Sequence, residues 1–337
     1  MGGHTLSLGP MLQHELQRLK HKDVRQRRMA VRRLFEIDNP VALAAFIELL
    51  DDQDEWFADK AIVAIRRWVD GSHRKVIVSL SVRNENRLRL LAAELSPRIG
   101  SEALPILSTL CTDADDSVRR EAWRARLKVD SGTIPVAIES EDHIIRKMAI
   151  SHSGDTDILE AMLSDSHIRV REAALDQMIV IGHSSPAVDQ LLTGPLRLKA
   201  ATLRLPFLVE SETASTISNL CADPEPALRK VIAKHLDDAE WFDWTGVFEA
   251  ARDSKDPLLL PRLLRSRKEA RADEMRLNLL QQGSDISRAR ILEHLHGRNI
   301  PSSIFDLLPS LVADPNPLIS QAASSLMADS SVLETDI

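Results

Sequence analysis

Apolar positions along this chain recur at helical intervals, and they do so in a repeating unit. In Asp165 to Ile181, DSHIRVREAALDQMIVI, the residues Val170, Ala174, Met178 and Ile181 fall three or four apart and predict one buried stripe of a helix. Asp165 or Ser166 stands ahead of it, where a side-chain oxygen can accept from backbone amides that lack an intrahelical partner. The unit returns at Asp115 to Ala122, DDSVRREA. Aligning on the small residue gives a column of Ala30, Ala61, Ala92, Ala122, Ala149, Ala174, Ala200, Ile232 and Ala322. Between Ala30 and Ile232 its members stand roughly 25–32 residues apart, the period of a stacked array rather than of a compact domain.

Each unit reads as a helix, a turn, a second helix and an Asp-rich turn. The first pairs Val24–Ile37 with Val41–Leu50 across Asp38-Asn39-Pro40, and the second begins at Trp56–Val69. In the third, Pro97 should kink Arg87–Ile99 or end it early, and Ser101–Cys111 follows Gly100. Short second helices are expected at Thr133–Glu139, Thr156–Leu163 and Pro186–Leu192, and Pro206 interrupts the seventh unit. The organisation expected is an N-terminal segment with a capping helix over 1–22 and repeats over 23–252. Irregular repeats fill 253–328, where no repeat phase is readable from 253 to 316, and a disordered tail covers 329–337.

A lone helical hairpin cannot bury its apolar faces, so neighbours supply the other wall. The fold expected is therefore all-α, a right-handed α-solenoid of about ten hairpins. A second column, Arg89, Arg119, Arg146, Arg171, Arg197 and Arg229, can reach carboxylates or helix-end carbonyls of the next unit. An acidic turn, then Val-Arg, then an alanine-rich helix resembles the short HEAT repeats of the PBS-lyase (bilin-lyase) type. DDSVRREA and HIRVREAA carry that resemblance best, and it spans roughly Asp23 to Ala328, more weakly after Trp244. It implies the solenoid and says little of function, because the matching residues are structural.

Composition fits a soluble helical protein: 44% hydrophobic and 28% charged residues, 4% aromatic, no Tyr and 12 Gly in 337 residues. The net charge of −7 is uneven, with 22 basic and 18 acidic residues over 1–128 against 21 and 32 over the remainder. No apolar run has membrane-spanning length, and the start lacks the basic and apolar regions of a secretory signal. Cys111 and Cys221, at equivalent points of different repeats, should be free thiols, and a cytoplasmic location is expected.

Catalytic chemistry is hard to find. No phosphate loop, Cys-x-x-Cys pair or HExxH occurs, and no catalytic, cofactor-binding or metal residue is nominated. The HEAT-like deoxyhypusine hydroxylases hold iron with several His-Glu pairs, whereas His14-Glu15 is the one such pair here. HEAT-like DNA glycosylases set aromatics on a basic surface; Trp123, beside Arg119, Arg120, Arg124 and Arg126, imitates this but belongs to a first helix and should be packed. His294 and His296 with Glu293 are expected to be solvated. Two features remain. Arg25, Arg27, Arg28, Arg32 and Arg33 form a basic stretch that could hold phosphates or an acidic partner. Trp241, Trp244 and Phe248 share a helical stripe that either packs or anchors a partner. The function expected is a non-catalytic scaffold or adaptor for a protein or peptide. The alternative is a nucleic-acid-associated protein, of glycosylase type or a processing factor, using the basic N-terminal third. Second helices such as VALAAFIELL are mostly neutral, which weighs against the alternative. The partner's identity, the face that binds it and the oligomeric state are not written in the sequence.

Overall fold

A computed structural model describes residues 9–208, 215–217, 219–220, 225–237, 251–252, 254 and 256–333. These residues are all-α, with no strand among them. The chain divides into two compact units, one of residues 1–155 and 166–173, the other of 156–165 and 174–337.

Unit 1 opens with α1 (Pro10–Arg18), and first helices alternate with second helices after it. The first helices are α2 (Val24–Ile37), α4 (Glu55–Trp68), α6 (Asn86–Leu95), α8 (Asp116–Val129) and α10 (His143–Ile150). The second helices are α3 (Leu43–Glu48), α5 (Arg74–Ser81), α7 (Leu104–Leu110) and α9 (Ile134–Ile138). Each first helix packs on the next, α2 on α4, α4 on α6, α6 on α8 and α8 on α10, while the second helices fill the other layer. Successive helices pack in chain order, the expected manner of a solenoid.

Local chemistry sets the boundaries. Asp23, Asp54, Asp115 and Asp142 accept backbone amides at the starts of α2, α4, α8 and α10. α2 ends where Asp38 turns left-handed (φ 52°), a conformation Asp tolerates better than most residues. Its carboxylate accepts from the Trp68 indole at 2.8 Å and pairs with Arg67. Those two partners hold the Asp38 pKa below the usual carboxylate range. Trp68 meets Phe35 and Phe46, ring centroids 5.1–5.5 Å apart, in an aromatic cluster invisible in the linear sequence. As Pro97 demanded, α6 stops at Leu95, and a 3-10 segment with Gly100 at φ 59° leads into α7.

The alanine column is the packing seam. Ala30, Ala61, Ala92, Ala122, Ala149, Ala174 and Ala200 are each 0% exposed. In the last helix the buried residue is Ala323 instead of Ala322, one step from the expected register. In α12 (Ile168–Ile181) Val170, Ala174 and Met178 are fully buried, but Ile181 is 37% exposed because it lies at the helix end. The stripe is one residue shorter than its spacing suggested.

Unit 2 holds α11 (Thr156–Met162), α13 (Arg197–Arg204), α14 (Pro226–Asp237), α15 (Leu259–Leu264), α16 (Ala270–Gln282), α17 (Asp285–Leu295), α18 (Ser302–Phe305), α19 (Leu308–Val312) and α20 (Pro317–Leu333). Pro186–Leu191 is a 3-10 segment, not the α-helix expected there. Here α13 packs on α14, α14 on α15, α15 on α17 and α17 on α20. The stretch without a readable phase therefore also packs its helices in chain order. α20 runs past Ala328 to Leu333. Among the described residues no helix is long and apolar enough to cross a membrane.

Candidate functional site

Most of the Arg-Asp chemistry in this chain is structural. Nη1 of Arg89 donates to the carbonyls of Arg83 (3.0 Å) and Asn84 (2.6 Å), while Nε and Nη2 clasp Asp113 at 2.6 and 3.0 Å. Arg119 clips Asp113 and Ala114 O at 2.7 and 3.0 Å. Arg146 clips Ser140 and Glu141 O at 2.8 and 3.0 Å, and Arg171 clips Ser166 O at 3.2 Å. The carbonyls bound thus belong to each arginine's own preceding turn, not to the next unit as expected. The geometry explains it, because a side chain one turn into a helix points back towards the helix start. A carboxylate of the following unit is reached by Arg89, by Arg197, which pairs with Glu225, and by Arg229, which meets Asp256 at 3.0 Å. Outside the expected column, Arg27 pairs with Asp52, and Arg288 with Asp314 at 2.6 Å. Charge-assisted bonds of this kind fix the register of one repeat on the next.

The basic stretch near the N-terminus is partly drawn into the same network. Arg27 lies 4.0 Å from the Phe57 ring centroid as well as on Asp52, and Arg28 meets Asp54 at 2.9 Å and lies over Trp56. Arg33 pairs with Glu36 at 2.6 Å, whereas Arg25 and Arg32 are exposed without an ion pair among the described residues. Trp123 is buried, with Arg126 over its ring, and Cys111 is buried, its thiol pushed up to about 11 by desolvation. Trp241, Trp244 and Phe248 lie outside the described residues, as does Cys221.

The feature the sequence did not announce is in unit 2. Lys230 and Lys234 on α14, Arg262 on α15, Arg265 at its end and Arg290 on α17 are exposed, with Arg298 half-buried just beyond. Spacings of three or four residues put each pair on one helix face, and the three helices are successive neighbours in the stack. Together they line three hollows of about 230, 450 and 650 Å³. The first two share Arg262 and Arg265, and Arg298 joins the second to the third. Among the described residues Asp273 is the one carboxylate in their linings, and it is bonded to the buried Arg276.

These cations are largely uncommitted. The side chains of Lys230, Lys234, Arg262 and Arg265 make no hydrogen bond or ion pair among the described residues. Arg290 pairs with Glu293 at 2.6 Å, and Arg298 donates to the Arg265 carbonyl. A recess lined by one sign of charge raises the local concentration of the opposite ion. His294 shares the smallest hollow with Arg265 and Arg290. It is half-buried and its Nδ1 has no partner, contrary to the solvated histidine expected. Burial first, then Arg265 and Arg290, push its pKa below the ordinary value, with Glu293 opposing and Arg298 adding to the shift. The signal was present as Lys230, Arg262 and Arg290, one repeat apart. It becomes visible only with a repeat phase between 253 and 316.

No family model and no curated protein matches this chain. Among solved structures, an engineered protein is similar over 94% of this chain and 98% of its own, at 17% identity and a TM-score of 0.33. So distant a likeness carries no argument about fold or function.

Proposed function

We propose that this chain is a non-catalytic scaffold, a right-handed solenoid of HEAT-like hairpins, that binds an acidic protein or peptide. The face it uses is the basic groove of α14, α15 and α17. One observation carries this: Lys230, Lys234, Arg262 and Arg265 point like charges into connected hollows and have no partner among the described residues. Like charges held together are destabilising unless a counter-charge arrives. Arg27 and Arg28 already hold Asp52 and Asp54, which favours the groove over the N-terminal stretch as the place for a partner.

The test is fluorescence anisotropy of a labelled acidic peptide against the full chain across a salt series. Binding should weaken steeply with salt, since screening shortens to roughly 3 Å at 1 M. It should be lost when Arg262 and Arg265 become Glu and be retained when Arg25, Arg32 and Arg33 become Glu. Loss in the second variant alone would move the site to the N-terminal stretch and overturn the proposal.

A further inference from the structure

Within that groove the smallest hollow differs from its neighbours. It measures about 230 Å³ and is lined by Lys230 from α14, Arg262 from α15 and Arg265 at its C-cap, Arg290 from α17, and the apolar Leu258. Arg229 also lines it, its guanidinium held by Asp256. No carboxylate lines this hollow among the described residues. The carboxylates that compensate its lining are Asp256, on Arg229, and Glu293, which pairs with Arg290.

We infer that this hollow binds a phosphate monoester dianion, presented by a phosphorylated side chain of the acidic partner. The inference rests on the groove being the partner's site. It follows from charge and shape. One carboxylate offers a single charge and two oxygens, too little for cations converging from three helices. A phosphoryl group on a side chain carries about −1.5 to −2 charges near pH 7 and three acceptor oxygens. Guanidinium forks match that geometry, and arginine clusters suit phosphorylated motifs for the same reason. A nucleic-acid strand fits less well. Its diesters carry one charge each, less than a monoester dianion offers to converging cations. His294 reports on occupancy. Burial is the main cause of its lowered pKa, and a dianion beside Arg265 and Arg290 offsets the part those two arginines add, so the imidazole takes up a proton more readily when the hollow is filled.

The experiment uses the full chain and four probes: an acidic peptide with one phosphoserine, its glutamate twin, inorganic pyrophosphate and a short DNA duplex. Calorimetry gives affinities, and histidine side-chain NMR follows His294. The phosphopeptide should bind at least about tenfold more tightly than its twin, a difference of about 1.4 kcal/mol. Binding should raise the His294 titration midpoint. Arg262→Gln with Arg265→Gln should abolish the preference while circular dichroism and Tm stay unchanged. If both peptides bind equally and salt-sensitively, the phosphoryl site is wrong and the acidic-partner groove stands. If neither peptide binds, both fail. Tighter binding of the duplex than of the phosphopeptide, lost in the same variant, overturns both in favour of nucleic acid. Tighter binding of pyrophosphate reassigns the hollow to a small ligand and overturns the peptide source.

Discussion

On the first helices of unit 1 surface charges of both signs occur, and neighbours use them on one another. Arg87 of α6 meets Asp59 of α4 at 3.3 Å, Arg66 of α4 meets Glu94 of α6 at 3.0 Å, and Arg120 of α8 reaches Asp142 at 2.6 Å. The corresponding stretch of unit 2 has Lys230 and Lys234, then Arg262 and Arg265, then Arg290. Both units keep the same internal ladder, as Arg89–Asp113 and Arg229–Asp256 attest. What differs is the face that packing leaves over. Net charge conceals this, because the basic groove lies in the part of the chain where acidic residues outnumber basic ones by 32 to 21. Charge patterning on a helix face carries more information about partners than charge summed over a domain.

The contrast breaks first at the ladder. Arg89→Ala leaves the mostly buried Asp113 without its bidentate partner and two turn carbonyls without a donor. A loss of about 2–3 kcal/mol in urea unfolding is expected. An unchanged midpoint would mean that the ladder does not hold the repeats together.

Acid should separate the two units. Burial chiefly, helped at His294 by Arg265 and Arg290, keeps His294 and His235 of unit 2 below the ordinary histidine value. Unfolded histidine titrates near ~6.5, so their contribution is intact above that pH and is lost as pH falls through the lower folded values. In unit 1, Arg89 holds Asp113 and Arg83 holds Asp51 below the carboxylate range. That contribution is intact above ~3.9 and is lost only as pH falls through the depressed folded values. Hydrogen exchange read by mass spectrometry should therefore show unit 2 loosening as pH falls below ~6.5, while unit 1 stays protected down to ~3.9. Uniform loosening would erase the distinction.

Lys230→Glu imposes the mixed-sign pattern of unit 1 on unit 2. It should raise stability by a few tenths to about 1 kcal/mol, and it should cost the groove its anion affinity. The smallest effect expected is that of Arg262→Ala, within about ±0.5 kcal/mol on melting, because no hydrogen bond or ion pair among the described residues depends on that guanidinium. A large destabilisation would show the arginine to be structural after all.

The sequence carried the first-helix periodicity well, since α2 starts and ends at Val24 and Ile37 as its spacing requires. Small buried residues and capping aspartates are local signals. The Phe35–Phe46–Trp68 cluster was illegible because its members come from three different helices. The groove was missed for a related reason. Lys230, Arg262 and His294 look scattered until the stack brings their helices side by side, and Pro257 and Pro261 blur the very repeats that hold them. Trp241, Trp244 and Phe248 lie outside the described residues; if their stripe packs as core, Trp244→Ala should cost about 3–5 kcal/mol of stability.

The arginine clip has a consequence for how such a chain is made. Arg119 and Arg146 bind carbonyls five and six residues behind them, so each turn can close before the next repeat exists. A nascent chain leaving the ribosome, at about 5–20 residues per second, could set each capped turn within seconds of its emergence. Only the longer links, such as Arg89 to Asp113, must wait for the succeeding turn to be synthesised. Growth from the first hairpin onward, one docking at a time, would then spare the chain any long search for distant partners.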